Sequence, residues 1–117
     1  MKCQNLQNLT LEIRSNLIGP NGATGLGTGS GNCTNLTNLI LNLCYNNICN
    51  EGIAGLSKGL TKCKNLQKFS LDVSGENNIS CNGASDLGQN LNQFKNLTEI
   101  VLQLKQINYI SQFQKLE

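Results

Sequence analysis

The sequence has no histidine and no tryptophan, and among its 117 residues there are only one proline, two tyrosines and three phenylalanines. Histidine is the commonest general base and a frequent zinc ligand, so its absence argues against most hydrolytic mechanisms and zinc sites. No stretch of about 18 apolar residues is present, which argues against a membrane-spanning helix. Nine basic residues accompany seven acidic ones without forming a basic cluster. Nucleic-acid binding is therefore not expected.

The amino terminus also lacks the apolar core of a secretory signal, since it begins Met1-Lys2-Cys3-Gln4-Asn5. We therefore expect a cytoplasmic protein with no membrane partner. Six cysteines in so short a chain would indicate a disulfide framework if the protein were secreted. The disulfide interpretation depends on whether the repeat positions that hold these cysteines require cysteine.

An internal repeat is the main positive feature of the sequence. The motif Cys-x-Asn-Leu starts at Cys3, Cys33 and Cys63, and a variant starts at Phe94, giving offsets of 30, 30 and 31 residues. Strict alternation of apolar residues after each start predicts a short strand with one face directed into a core. The four apolar series are Leu9, Leu11, Ile13; Leu39, Leu41, Leu43; Phe69, Leu71, Val73; and Ile100, Leu102, Leu104.

A helical pattern follows each of the first three strands. It begins near Gly22, Gly52 or Gly83 and continues with apolar residues at helical spacing, most clearly across residues 53–60. The first unit is rich in glycine, and each glycine in a helix costs about 1 kcal/mol relative to alanine. We therefore expect the helix within residues 22–31 to be short, frayed or stabilised only by packing.

Each unit is thus a strand, a turn and a helix, and it cannot bury its apolar face alone. Neighbouring units must stack, with a parallel sheet on one side and helices on the other, joined by right-handed crossovers. We predict a single domain, 1–117, with units at about 3–32, 33–62 and 63–93 and a partial or capping unit at 94–117. A closing helix is predicted from four apolar residues in this last unit: Ile107, Ile110, Phe113 and Leu116.

This pattern, Leu-x-x-Leu-x-Leu-x-Leu followed by Asn16, Asn46, and Asn77 or Asn78, resembles leucine-rich repeats of the ribonuclease-inhibitor-like type. The resemblance covers nearly the whole chain and implies an α/β, right-handed solenoid with the sheet on its concave face and helices on its convex face. The Asn- and Gln-rich version is similar to repeats in predicted ciliate proteins, some of which also carry a kinase domain. No kinase motif is present in this chain.

The resemblance also implies a structural role for the asparagines that follow the strands, Asn16, Asn46 and Asn77 (or Asn78). In such repeats this side chain bonds to main-chain groups of its own and neighbouring loops, which must be paired when buried. A second register lies at the entrance to each strand, and we suggest a similar role for its members: Asn5, Asn35, Asn65 and Asn96.

No residue pattern indicates catalysis, a metal or a cofactor. One cysteine register, Cys3, Cys33 and Cys63, continues with Phe94, so that position favours a buried apolar group rather than a ligand or a disulfide. There is no Cys-x-x-Cys pair, and the glycine-rich run at 25–31 lacks the Gly-Lys-Ser/Thr ending of a phosphate loop. We therefore expect a protein that is not an enzyme.

Residues that alternate with the buried leucines should line the concave face, where solenoids usually bind their partners. From them we select a candidate binding set: Thr10, Glu12, Arg14, Ile40, Asn42, Ser70, Asp72, Val101, Gln103 and Lys105. An ordinary solvated sheet face is the alternative interpretation, because isolated exposed apolar residues are common.

The function expected from these features is that of a protein-binding or scaffold module. End-to-end self-association is a further expectation, because the chain begins inside a repeat unit. Two other hypotheses remain open. The chain could be the repeat segment of a kinase-like or ubiquitin-ligase-type protein, or a GTPase-activating protein that uses Arg14, its only arginine, as a finger.

Overall fold

The computed structural model describes residues 4–106, and in this part of the chain it has four strands and three helices. The strands are β1 (Asn8–Glu12), β2 (Asn38–Asn42), β3 (Lys68–Asp72) and β4 (Glu99–Gln103). The helices are α1 (Gly19–Gly31), α2 (Cys49–Leu60) and α3 (Cys81–Leu91). None of the three described helices is both long and apolar enough to cross a membrane.

The strands form one parallel sheet in the order β1-β2-β3-β4, which is also their order in the chain. Pairing follows the sequence repeat, so that Leu9 lies beside Leu39, Leu39 beside Phe69, and Phe69 beside Ile100. The predicted α/β class and parallel sheet are confirmed. The alternation of apolar residues and the offsets between repeat units both predict this register, because equivalent positions of stacked units must lie side by side.

The core lies between the sheet and the helices. Leu39, Leu41 and Leu71 from the strands are at most 1% exposed, as are Ile53 and Leu56 from α2. Toward the edges of the described sheet the same apolar series is less well covered. Its members in β1 are half-buried, and Ile100 and Leu102 in β4 are 44% and 37% exposed.

Helix α1 is not short, and among the expected alternatives its contacts fit a helix stabilised by packing. It has 13 residues, against 12 for α2 and 11 for α3. Two of its glycines, Gly27 and Gly31, lie against the backbone of α2: a Cβ on Gly27 would stand 2.7 Å from Leu56 Cα, and one on Gly31 would overlap the Gly59 carbonyl. Gly59 in turn approaches the Gly27 carbonyl. Close backbone packing therefore offsets the cost of ordering glycine.

Two sequence predictions fall outside the described residues. The closing helix that contains Ile107, Ile110, Phe113 and Leu116 lies beyond Gln106, and Cys3 of the first motif precedes Gln4. The described part of the fourth unit contains β4 and ends at Gln106, which forms a parallel bridge to Gly75.

Candidate functional site

The outer face of the sheet, which we call the strand face, carries the candidate residues in rows that run across the strands. Thr10, Ile40, Ser70 and Val101 are consecutive neighbours in the parallel register. Ile40 is 44% exposed and Val101 47%, whereas Ser70 between them is partly buried. The structure thus places two exposed apolar side chains on either side of a small polar one.

A depression of about 330 Å³ lies over this row. Its wall includes a further row that the sequence analysis did not select: Asn8, Asn38, Lys68 and Glu99. The Lys68 ammonium and the Glu99 carboxylate form an exposed ion pair at 4.0 Å. Alternation is the signal that identifies this row, because its members precede the Thr10 row by two residues and therefore share its face of each strand.

The next row contains Glu12, Asn42, Asp72 and Gln103, again as register neighbours. The Asp72 carboxylate accepts hydrogen bonds from Ser74 N at 3.0 Å and Ser74 Oγ at 2.6 Å. Partial burial acts to raise the pKa of Asp72, but these hydrogen bonds outweigh it and, with a smaller contribution from the Arg14 charge, hold the pKa below its ordinary value. Asp72 is therefore a fixed negative charge on the strand face.

The two remaining residues of the candidate binding set lie just beyond the carboxyl ends of β1 and β4. Arg14 and Lys105 are exposed, as the binding hypothesis requires, and they stand at opposite sides of the described sheet. Between them Cys44 is only 5% exposed, with its Sγ 3.4 Å from Ser74 Oγ. Burial raises the pKa of the Cys44 thiol, so this thiol is protonated and is not an activated nucleophile.

Beneath the strand face, the asparagines after the strands form a ladder between units. Asn46 is fully buried, and its Oδ1 accepts hydrogen bonds from Asn16 N at 2.8 Å and Ile18 N at 3.3 Å. Its Nδ2 donates to Ile13 O at 2.8 Å and Cys44 O at 3.1 Å. One side chain thus pairs main-chain groups of two successive loops.

The ladder continues through Asn77, whose Oδ1 accepts from Asn46 N at 3.0 Å and Ile48 N at 3.1 Å. Asn78, the alternative from the sequence, is exposed and donates instead to Asn47 Oδ1 at 2.7 Å. The sequence analysis missed the next rung, Gln106, which accepts from Asn77 N at 3.0 Å and from Ile79 N. Gln106 lies fewer residues beyond the end of its strand than Asn46 and Asn77 do, and the longer glutamine side chain spans the difference.

The second asparagine register lies at the surface. Asn35 Nδ2 donates to Gln4 O, and Asn96 Nδ2 donates to Lys64 O at 3.2 Å. Both side chains belong to exposed residues, as do Asn5 and Asn65. These bonds join neighbouring loops, but they lie in water and therefore contribute less to stability than the buried ladder.

The loops after β1, β2 and β3 each contain a non-glycine residue with positive φ at an equivalent place. Leu17 has φ 50° and is 85% exposed, whereas the same place in the next two units is occupied by Asn47 and Asn78, with φ 52° and 55°. Asparagine tolerates this conformation far better than leucine. Leu17 is therefore both strained and unusually exposed for an apolar side chain.

The cysteines do not form a metal site among residues 4–106, where no group of three or more potential ligands occurs. Cys63 is fully buried, and its thiol donates to Ser30 O at 3.2 Å. Burial raises its pKa to about 11. The thiol therefore behaves as a small buried group rather than a ligand, in agreement with the apolar character of its register.

The chain matches no protein-family model, no curated protein and no solved structure. Its function must therefore be inferred from the residues and the geometry of this surface.

Proposed function

We propose that this chain is a protein-binding module, a right-handed solenoid of leucine-rich repeats of the ribonuclease-inhibitor-like type, that binds its partner through the strand face. The observation that carries the proposal is the pair Ile40 and Val101, exposed on both sides of Ser70 over a depression of about 330 Å³. Exposed apolar side chains with a polar rim are typical of protein interfaces.

The repeat supports the architectural part of this proposal. Units of 30 or 31 residues stack in register, and Asn46 and Asn77 connect one unit to the next. This construction gives a rigid sheet, and a rigid surface loses little conformational entropy when a partner binds.

A binding role also fits the chemistry of the surface better than catalysis does. Its thiol, Cys44, is buried, and one of its carboxylates, Asp72, is engaged by Ser74. A general base needs a raised pKa near the working pH, whereas the pKa of Asp72 is lowered. We propose that the chain has no catalytic activity of its own. A cytoplasmic location suits the free thiols of Cys44 and Cys63.

The test is to replace Ile40 and Val101 together by glutamate and to compare capture of proteins from an extract of the source cells. The matched control is Lys58→Glu, an exposed change on helix α2. A partner of the strand face should bind the original chain and the control equally, and the double variant at least about 10-fold more weakly. Equal binding to all three chains, each with an unchanged circular dichroism spectrum, would contradict the proposal.

A further inference from the structure

The ladder of side chains is incomplete at the β1 edge of the sheet. Asn46, Asn77 and Gln106 each accept two main-chain N–H groups from the preceding unit. Asn16 holds the equivalent position, and its Nδ2 donates to Arg14 O at 2.9 Å much as Asn46 donates to Cys44 O. Its Oδ1 accepts no hydrogen bond from residues 4–106. Asn16 thus holds the position of a rung, and no described residue lies against the outer side of its amide oxygen.

The main chain of β1 also has no described strand on this side. Ile13 N donates to Asn42 O at 3.0 Å, toward β2. In a parallel strand the direction of the main-chain groups alternates, so those of Thr10 and Glu12 point outward, away from β2. Strand β1 is an edge of the described sheet, and these groups are a template for one further parallel strand.

The β4 edge offers complementary groups. Gln103 O accepts from Val73 N at 2.9 Å, so by the same alternation the main-chain groups of Ile100, Leu102 and Leu104 point outward. Ile100 and Leu102 belong to the core-facing series and are nevertheless 44% and 37% exposed. The two edges of the described sheet therefore present opposite halves of the same unit-to-unit contact.

We propose that a second copy of this chain docks head to tail, with its β4 parallel to β1 in the register used between units. Leu9 then lies beside Ile100 of the second copy, and the apolar series of the two edges cover one another. Asn16 Oδ1 accepts from Gln106 N of the second copy and so completes the ladder. The occupant is a second copy because its β4 edge carries the three partners that the β1 edge lacks. These are a strand with outward main-chain groups, a partly exposed apolar series and the main-chain N–H of Gln106.

Docking between separate copies is weaker than stacking within one chain. Gly25 and Gly29 on the outer side of α1 have open space around them. Two separate copies lose translational and rotational freedom when they dock, whereas units of one chain do not. Association therefore requires high concentration. Such a heterologous contact does not close on itself, so the mass should rise beyond that of a dimer.

The experiment is sedimentation velocity on the full chain from about 1 μM to about 1 mM. The weight-average mass of the original chain should rise with concentration. Thr10→Pro removes an outward N–H and should remain monomeric, whereas Thr10→Val keeps this N–H and should associate normally. Asn16→Ala should need at least about 10-fold higher concentration, and Asn82→Ala, an exposed change on α3, should behave as the original chain.

A monomer at every concentration would overturn the proposal and leave this edge to a different protein. Association of Thr10→Pro and Asn16→Ala that is as strong as that of the original chain would also overturn it. If Thr10→Pro does not fold, the result for Asn16→Ala alone decides. The Ile40→Glu single variant separates this inference from the proposed function, because Ile40 lies in β2, away from both edges of the described sheet. It should associate normally with its own copies even though it loses the foreign partner.

Discussion

Replacing Asn77 by alanine tests whether the buried ladder holds the units together. The Asn77 side chain is fully buried. Its Oδ1 accepts from Asn46 N and Ile48 N, and its Nδ2 donates to three carbonyl oxygens, at distances of 3.0 to 3.1 Å. Alanine removes all of these bonds and leaves the two N–H groups without their acceptor.

The expected loss follows from those two groups. A buried donor without a partner costs about 1–3 kcal/mol, so two of them cost about 2–6 kcal/mol. A domain of this size is stable by only about 5–15 kcal/mol, so the Asn77→Ala chain should lose a substantial fraction of its stability. The matched change, Asn16→Ala, removes an exposed bond to Arg14 O and should cost less than about 1 kcal/mol.

The measurement is urea unfolding at 25 °C, followed by circular dichroism at low protein concentration so that self-association does not contribute. The free energies of unfolding of the original chain, Asn77→Ala and Asn16→Ala are compared. If the two variants lose the same stability, or if Asn77→Ala loses less than about 1 kcal/mol, the ladder does not have the energetic role argued from its geometry.

Four further outcomes are expected. Gly27→Ala should lower the free energy of unfolding by about 1–3 kcal/mol, because its Cβ would press on the α2 backbone, whereas Gly25→Ala, which meets open space, should raise it by about 0.5–1 kcal/mol; urea unfolding measures both. Leu17→Asn should stabilise the chain by up to about 1 kcal/mol, since asparagine tolerates the positive φ, and no gain in melting temperature would contradict the strain argument. Iodoacetamide at pH 8 should modify exposed Cys81 about 100-fold faster than buried Cys63, which reacts only through unfolding. Because burial raises the pKa of Cys63 from 9.0 to about 11, its contribution to stability is complete below pH 9 and is lost as the pH rises toward 11.

The sheet could be predicted from the sequence because its signals are local and repeated. Alternation of apolar residues defines a strand and its inward face, and a constant offset between Leu9, Leu39 and Phe69 defines which strands pair. The predicted row from Thr10 to Val101 follows from the same alternation. These inferences need only the period of a strand and the fact that identical units stack.

The rung at Gln106 and the burial of Cys44 could not be predicted from local, repeated patterns. The rung at Gln106 departs from the asparagine pattern in both residue type and spacing, and only the observed bonds to Asn77 N and Ile79 N reveal it. The burial of Cys44 could not be predicted either, because Cys44 follows its strand in step with Arg14 and Lys105, which are exposed, and is nevertheless only 5% exposed. Both outcomes depend on how one loop packs against the next.

What the sequence by itself determined is the repeat: four strands in register, their buried faces, and asparagines placed to pair loop main-chain groups. The tertiary structure decided what neighbouring units do for each other. Glycine in α1 is unfavourable for an isolated helix, yet Gly27 and Gly31 are the residues that let α1 approach α2. Helix propensity is a property of one segment, whereas close packing belongs to two, and only the folded chain brings both segments together.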